Sequence, residues 1–164
     1  IAYLISKRYK KISPVSIQIK SPKETGKSFI SNSKLKVNYF SKFVDYPVIS
    51  DDSGLCIRAL DNKPGIYSAR LAKKHGGFFK AMKFILKKME KVKDRRATFV
   101  CSLSYKNTKG KIVTVEGRIA GNISNKILGK NGFGYDPIFR PLNKKITFGE
   151  MDKTKKIKMD HRFI

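Results

Sequence analysis

The sequence predicts an α/β fold in which helices flank a mixed central sheet. Residues 25–44 and 78–89 repeat apolar side chains at helical spacing. Residues 47–50 and 55–60 are short apolar runs typical of buried strands, and residues 97–119 alternate around a turn like an antiparallel hairpin. Because helices alternate with both kinds of strand, we assign the chain to the α/β class.

The N-terminal third contains a short strand pattern and the first long helix pattern. Residues 1–9 resemble the second half of a helix, and residues 15–19 alternate like a strand. In the helix predicted over residues 25–44, Lys36 follows Phe29 by seven positions and falls within the apolar stripe. The helix geometry leaves two interpretations open: a lysine whose stem lies along the core edge, or an amine directed at a site.

The strand over residues 47–50 is predicted to end in Asp51-Asp52-Ser53-Gly54, and residues 55–60 to form a second strand. The carboxyl end of a strand is where α/β sheets place their ligands. Two carboxylates there could bind a hard divalent cation, or one could accept a proton from water. The alternative is a turn in which an Asp side chain caps the strand.

The second half of the chain predicts a core helix over residues 78–89 and the hairpin over residues 97–119. A glycine-rich loop follows at residues 129–134, and residues 152–163 resemble a short basic helix. The chain shows no internal repeat and no linker, so we expect a single domain over residues 1–164.

Composition excludes several classes of protein. Hydrophobic residues make up 40% of the 164 residues, which is too many for a disordered chain. No apolar run approaches the ~18 residues of a membrane span, and the first apolar stretch is too short for a signal peptide. Cys56 and Cys101 lack metal-ligand spacing. We therefore expect a reduced, cytoplasmic protein without a membrane partner.

The charge is strongly basic, with 37 Lys and Arg against 12 Asp and Glu, a net charge of +25. This balance is typical of proteins that bind nucleic acid or another anionic surface. However, 29 of the basic residues are lysines scattered along the whole chain, whereas nucleic-acid interfaces favour arginine. We favour a base-composition bias of the coding genome and expect no nucleic-acid partner.

Several other residues could carry chemistry, each with a structural alternative. Glu24 offers a third carboxylate, or simply an acid favoured at the start of a helix. Phe133 and Tyr135 bracket Gly134 and could stack on a base, or belong to the core. Asp136 beside them could accept a hydrogen bond from a purine N–H. His161-Arg162 could supply hydrogen-bond donors, or lie on a solvated face.

Taken together, these segments resemble one family, the noncanonical purine nucleoside triphosphate pyrophosphatases (inosine/xanthosine triphosphate diphosphatases). The resemblance covers the chain from about Val15 to its end. The matching motifs, in chain order, are Glu24-Thr25-Gly26, residues 47–55 (which contain Asp51-Asp52-Ser53-Gly54-Leu55), residues 64–70, Phe99-Val100-Cys101, residues 132–139 (which contain Gly132-Phe133-Gly134-Tyr135-Asp136-Pro137), Thr147-Phe148-Gly149-Glu150 and His161-Arg162.

The resemblance implies a homodimeric enzyme with an inosine triphosphate pyrophosphatase-like fold, which uses Mg²⁺ to hydrolyse ITP, dITP and XTP to the monophosphate and pyrophosphate. It implies Asp52 as general base, and Glu24 with Asp51 or Asp52 as metal ligands. It also settles Lys36 in favour of the site. The positions that it implies as substrate-binding are Lys36, Ser53, Arg70, Phe133, Gly134, Tyr135, Asp136, Lys156, His161 and Arg162.

Two features depart from the family pattern. The family opens with a strand and a phosphate-binding loop, which we expect this 1–164 domain to lack. Asp160 stands where the family usually has Ser, and an acid there would disfavour an electron-rich purine oxygen unless it points away. The alternatives to the enzyme are a basic nucleic-acid-binding module, with Phe133 and Tyr135 as a stacking platform, and a catalytically inactive relative.

Overall fold

The computed structural model describes residues 10–162, which contain four α-helices and five β-strands. The helices are α1 (Phe29–Phe40), α2 (Ser68–Lys74), α3 (Phe78–Lys88) and α4 (Lys153–Ile157). The strands are β1 (Val48–Ile57), β2 (Lys63–Pro64), β3 (Arg96–Lys106), β4 (Ile112–Ile123) and β5 (Phe139–Pro141). The strand order is β2-β1-β3-β4-β5, and the β1–β2 and β4–β5 pairs are antiparallel. The predicted α/β class is confirmed.

The chain divides into two compact units. The first runs to Asp52 and resumes over Cys101–Glu116, and the second holds Ser53–Val100 and the residues from Gly117 onwards. The first unit therefore contains α1, and the second contains α2, α3, α4, β2 and β5. The single domain expected from the sequence stays a prediction.

Helix α1 is shorter than predicted because a capping box sets its start. The Ser28 hydroxyl accepts from the backbone N–H of Ser31, and the Ser31 hydroxyl accepts from the backbone N–H of Ser28. The helix therefore begins at Phe29 rather than at residue 25, and it ends at Phe40. Its buried face is half polar: it holds Phe29, Asn32, Ser33 and Val37.

Strand β1 is continuous, so the prediction of two separate strands was wrong. Asp51 and Asp52 lie inside β1 rather than at its carboxyl end. Gly54 also lies inside β1, where a Cβ would overlap the carbonyl oxygen of Gly65. Glycine inside a strand often marks such a close backbone approach.

The predicted hairpin and core helix are confirmed. In the turn between β3 and β4, the backbone N–H of Asn107 donates to the carbonyl oxygen of Lys111 at 3.0 Å. The core of the second unit packs α3 residues against strand and loop residues, and its members include Leu55, Ile57, Met82, Ile85, Met89, Phe99, Phe139 and Phe148. Phe78 and Phe79 are exposed, contrary to their predicted core role.

Three further predictions concern the two ends of the chain. Residues 15–19 are not a strand: Val15–Ile17 form a 3-10 turn and are exposed, with no burial to stabilise a strand. The basic helix predicted over residues 152–163 is confirmed only as α4. The helix expected over residues 1–9 lies outside the described residues. Among residues 10–162, no helix is long and apolar enough to cross a bilayer.

Candidate active site

Four polar side chains meet in the first unit, and we call Glu24, Asn32, Lys36 and Asp52 the Asp52 cluster. The Lys36 ammonium donates to Oε1 of Glu24 at 3.0 Å and to Oδ1 of Asp52 at 2.9 Å. The side chains of Asp52, Lys36 and Glu24 are 7%, 15% and 28% exposed, so the cluster is closed at Asp52 and more open at Glu24. Lys36 therefore points at two carboxylates.

Helix α1 and strand β1 position this cluster. Asn32 and Lys36 are four residues apart and share one face of α1. Ser50 and Asp52 are two residues apart and share one face of β1. The Ser50 hydroxyl donates to the carbonyl oxygen of Ser33 at 2.7 Å, which fastens the helix to the strand beside Asp52.

Sequence reasoning missed Asn32. The residue is fully buried, its Nδ2 donates to Oδ2 of Asp52 at 3.1 Å, and its Oδ1 accepts from the backbone N–H of Gly26 at 2.8 Å. Both oxygens of Asp52 are thus engaged, one by Lys36 and the other by Asn32. The available signal was the position of Asn32 one turn before Lys36, on the face predicted to be buried.

Burial raises the pKa of the Asp52 carboxyl, and hydrogen bonds from Lys36 and Asn32 only partly oppose that rise. For Lys36, burial acts to lower the pKa, but the hydrogen bonds and charges of Asp52 and Glu24 outweigh it and raise the pKa. Asp52 is therefore a stronger proton acceptor than an exposed aspartate, and it faces a lysine that stays charged at neutral pH.

Asp51 lies on the other face of β1. Successive side chains of a strand point to opposite faces, and burial alternates accordingly from Ser50 to Asp52, with Asp51 half-buried between them. The carboxylate that accepts from Lys36 is therefore that of Asp52, and the role of Asp51 as a metal ligand stays a prediction.

The Asp52 cluster has donors suited to a hard cation. Glu24 and Asp52 direct one carboxylate oxygen each at the single ammonium of Lys36, so their oxygens converge on one cation position. Within residues 10–162, no group of three or more His, Cys, Asp or Glu side chains is placed to hold a metal. Mg²⁺ is commonly bound by one or two carboxylates, with waters and substrate phosphates completing its shell. The two carboxylates fit that pattern.

A second group of charged residues lies in the second unit, and we call Asp136, Lys156, Asp160, His161 and Arg162 the Lys156 cluster. The Lys156 ammonium lies 2.6 Å from Oδ2 of Asp136 and 3.2 Å from Oδ2 of Asp160. The Lys156 side chain is 7% exposed and both carboxylates are 2% exposed. Unlike the Asp52 cluster, this group is closed to solvent.

Aromatic rings surround the Lys156 ammonium. It lies 4.7 Å from the ring centre of Phe133 and 5.2 Å from that of Phe148. The Arg162 guanidinium lies 4.8 Å from the ring centre of Phe133. Phe133 itself is 57% exposed, although two cations contact its ring. An exposed ring bordered by fixed donors can stack on a planar ligand.

The glycine-rich loop shapes the approach to Phe133. Gly132 and Gly134 have φ angles of +77° and +66°, in the left-handed region that favours glycine. The backbone N–H of Phe133 donates to Oδ2 of Asp136 at 2.7 Å, so Asp136 closes the loop as well as holding Lys156. Burial raises the pKa of Asp136, while Lys156 and this N–H lower it.

His161 is held in one neutral form. Its Nε2 lies 2.9 Å from Nη1 of Arg162, which can only donate, so Nε2 accepts and Nδ1 carries the proton. Nδ1 lies 3.0 Å from Oδ1 of Asp160. Burial lowers the pKa of His161. For Asp160, burial acts to raise the pKa, but His161, the Arg162 backbone N–H and Lys156 lower it overall.

The remaining predicted residues lie elsewhere in the second unit. Tyr135 belongs to the core, as the structural alternative anticipated, and its hydroxyl donates to the carbonyl oxygen of Ser68 at 2.8 Å. Arg70 is exposed in α2 and lies 4.2 Å from the ring centre of Tyr67. Ser53 is half-buried in β1. Asp160 points towards Lys156, His161 and Arg162, so its charge is satisfied within the cluster.

Comparison with known proteins gives consistent results. The family model described as the Ham1 family matches residues 2–164. The chain is 38% identical over 164 residues to a dITP/XTP pyrophosphatase of Caulobacter vibrioides, covering 99% of this chain and 84% of that protein. It is 44% identical over 148 residues to a dITP/XTP pyrophosphatase of Dictyoglomus thermophilum, covering 87% and 71%. The solved structure of the Staphylococcus aureus Ham1 protein superimposes with a TM-score of 0.83 at 36% identity, covering 91% and 78%.

Proposed function

The chain belongs to the Ham1 family, and from this membership we propose that it hydrolyses noncanonical purine nucleoside triphosphates, including dITP, XTP and ITP, to the monophosphate and pyrophosphate. It is a nucleoside triphosphate pyrophosphatase. We assign the phosphate chemistry to the Asp52 cluster and the recognition of the base to the Lys156 cluster.

The observation that carries the chemistry is the environment of Asp52. A buried carboxylate with a raised pKa, held by two donors, is suited to take a proton from water. The oxygen of that water bonds to the α-phosphorus. The bond from this phosphorus to the oxygen bridging to the β-phosphate then breaks, and pyrophosphate leaves. Once a metal ion takes its place between the two carboxylates, the ammonium of Lys36 would supply positive charge for the phosphates.

Mg²⁺ is part of the proposal, with Glu24 and Asp52 as its ligands. Bound there, it would neutralise phosphate charge and lower the pKa of water. The support is the convergence of the two carboxylates on one cation position. Addition of EDTA should abolish pyrophosphate release, and Mg²⁺ in excess should restore it.

Base recognition follows from the Lys156 cluster. The exposed ring of Phe133 can stack on a purine, and the Arg162 guanidinium beside it can donate to the 6-oxygen of hypoxanthine or xanthine. Adenine carries an amino group at this position, which would leave the donors unmatched. An unmatched buried donor costs about 1–3 kcal/mol, so the site should favour hypoxanthine and xanthine over adenine.

A homodimer in the cytoplasm completes the proposal. The chain's resemblance to its family supports both features, and the exposed apolar side chains Val113 and Val115 on β4 are suited to a subunit interface. Light scattering coupled to size exclusion should give twice the monomer mass, and substitution of both valines by Thr should favour the monomer.

The proposal is tested by pyrophosphate release from dITP, XTP, ITP, dATP and dGTP in the presence of Mg²⁺. We expect turnover of the first three and little of the last two. Equal turnover of dATP, or release of orthophosphate in place of pyrophosphate, would contradict it. A nucleic-acid-binding module would instead bind oligonucleotides with steep salt dependence and turn over none of the triphosphates. An inactive relative would fold and show neither property.

A further inference from the structure

Asn32 is a fully buried polar residue with two partners that are distant from each other in the sequence. Its side chain donates to Oδ2 of Asp52 at 3.1 Å and accepts from the backbone N–H of Gly26 at 2.8 Å. Gly26 follows Glu24 by two residues. The Asn32 amide therefore links the chain segment that carries Glu24 to the side chain of Asp52.

The orientation of this amide follows from its partners. The backbone N–H of Gly26 can only donate, so the atom that faces it must be the oxygen of Asn32. The NH₂ group is then directed at Asp52, whose ionised carboxylate can only accept. No other amide orientation satisfies both partners, and neither Leu nor Asp at this position would make both bonds.

The next residue, Ser33, provides a control that distinguishes a role in positioning Asp52 from a role in packing the helix. Ser33 is also fully buried in α1, and its hydroxyl lies 3.0 Å from that of Ser102 and 2.8 Å from that of Ser104. These contacts fasten the helix to β3 without touching Asp52. Ser33 is thus the structural counterpart of Asn32: it is equally buried, and its hydroxyl donates to the carbonyl oxygen of Ile30 and contacts the two strand hydroxyls, but it makes no bond to Asp52.

We propose that Asn32 is a positioning residue that fixes the Asp52 carboxylate relative to the Glu24 segment, so that both present their oxygens to one cation. The proposal rests on the proposed function, in which these two carboxylates hold Mg²⁺. Hydrogen-bond partners of metal-ligating carboxylates set ligand orientation, and losing one typically costs 10–100-fold in metal affinity or activity.

The test compares Asn32→Leu, which keeps the volume and loses both bonds, with two controls. Ser33→Ala removes buried hydrogen bonds from the next residue, and Asn38→Leu makes the same substitution at an exposed position of the same helix. Each variant is measured for Mn²⁺ affinity by electron paramagnetic resonance without nucleotide, for thermal stability, and for kcat and KM with dITP and Mg²⁺. Mn²⁺ serves as the probe because it favours the same oxygen ligands.

We expect Asn32→Leu to lower Mn²⁺ affinity and kcat by about 10–100-fold, with KM changed less than about threefold. Ser33→Ala should lower the melting temperature but keep Mn²⁺ affinity and kcat, and Asn38→Leu should change none of them. Asn32→Asp is the second variant, because it keeps the acceptor for Gly26 and replaces the donor to Asp52 with a second carboxylate. It should lose kcat to a similar extent.

The outcomes separate this proposal from the proposed function. If wild type binds Mn²⁺ and Asn32→Leu does not, while neither releases pyrophosphate, the positioning role stands and the function fails. If wild type is active and either Asn32 variant keeps kcat within threefold, the positioning role is overturned and the function stands. A loss of kcat in Ser33→Ala equal to that in Asn32→Leu would also overturn it, as would a wild type that binds no Mn²⁺.

Discussion

The two clusters share one design, a lysine between two carboxylates, and differ in their access to water. Lys36 lies between Glu24 and Asp52 where Glu24 is partly exposed, whereas Lys156 lies between Asp136 and Asp160 in a closed site. An ion pair with one exposed member can exchange its partner, because water stabilises the separated charges. A fully buried pair cannot do so cheaply.

The charge balance of the two clusters also differs. In the Asp52 cluster, two carboxylates face one ammonium, which leaves an excess negative charge that favours a further cation. In the Lys156 cluster, Arg162 brings a second cation and His161 is neutral, so the charges balance. A balanced, aromatic-lined cluster suits a neutral base. This difference in access and charge supports the proposed roles, with metal and phosphate at the Asp52 cluster and the base at the Lys156 cluster.

The largest expected effect is on activity, from Asp52→Asn. The fold should be retained, and hydrolysis of dITP should fall ~10²–10⁴-fold, the usual loss for a general base. Asp51→Asn is the matched comparison on the opposite face of β1 and should lose far less. Steady-state pyrophosphate release measures both variants. More than a tenth of wild-type activity in Asp52→Asn would remove Asp52 from its assigned role.

The second effect is on stability, and it contrasts the two lysines. Lys156→Met leaves two buried carboxylates without their ammonium, and breaking such a buried pair typically costs about 3–5 kcal/mol in the free energy of unfolding. Lys36→Met should cost clearly less, because water reaches Glu24. Urea denaturation of the two variants gives the comparison. Equal losses in the free energy of unfolding would show that the exposure of a cluster does not determine how much its lysine contributes to stability.

The sequence singles out several site residues, whereas it does not give their geometry. Asp52 stands out by its residue type and its place after a predicted strand. Lys36 and the His161-Arg162 pair are assigned to the site only through the resemblance to a family, and their roles stay predictions. Asn32 carries no such signal, because its role depends on Gly26 and Asp52 coming together from separate segments. Its position one turn before Lys36 indicates burial, but its hydrogen bonds can be assigned only when its partners are known.

The fold, too, is predicted from local sequence patterns only where contacts between distant segments do not decide it. The core face of α3 and the hairpin follow from local periodicity, and both are confirmed. The sequence predicts two strands separated at Asp51-Asp52-Ser53-Gly54, whereas these residues continue β1 and the backbone of Gly65 closely approaches Gly54. Contacts of this kind override local preference, and no local pattern reports them.

A third, smaller effect tests the closed cluster through Asp160→Asn. This variant keeps the shape of the side chain and removes the charge that faces Lys156 and His161. We expect kcat/KM for dITP to fall by the equivalent of about 1–3 kcal/mol, while kcat/KM for dATP changes little. The preference for dITP over dATP should therefore decrease. Asp152→Asn, an exposed position at the start of α4, is the control. Unchanged selectivity would limit Asp160 to a structural role.

The smallest effect concerns pH and the neutral state of His161. Burial lowers the pKa of His161 in the folded chain, below the ~6.5 of the unfolded chain. As the pH falls below that value, the unfolded chain takes up a proton that the folded chain does not, so stability decreases. His161→Asn cannot take up this proton. The stability advantage of wild type over His161→Asn should therefore shrink between pH 7 and pH 5, by at most about 1.4 kcal/mol per pH unit.

Urea denaturation at pH 7, 6 and 5 measures the difference. An advantage that grows at low pH would mean that Asp160 holds an imidazolium, and that the Lys156 cluster is a charged site like the Asp52 cluster.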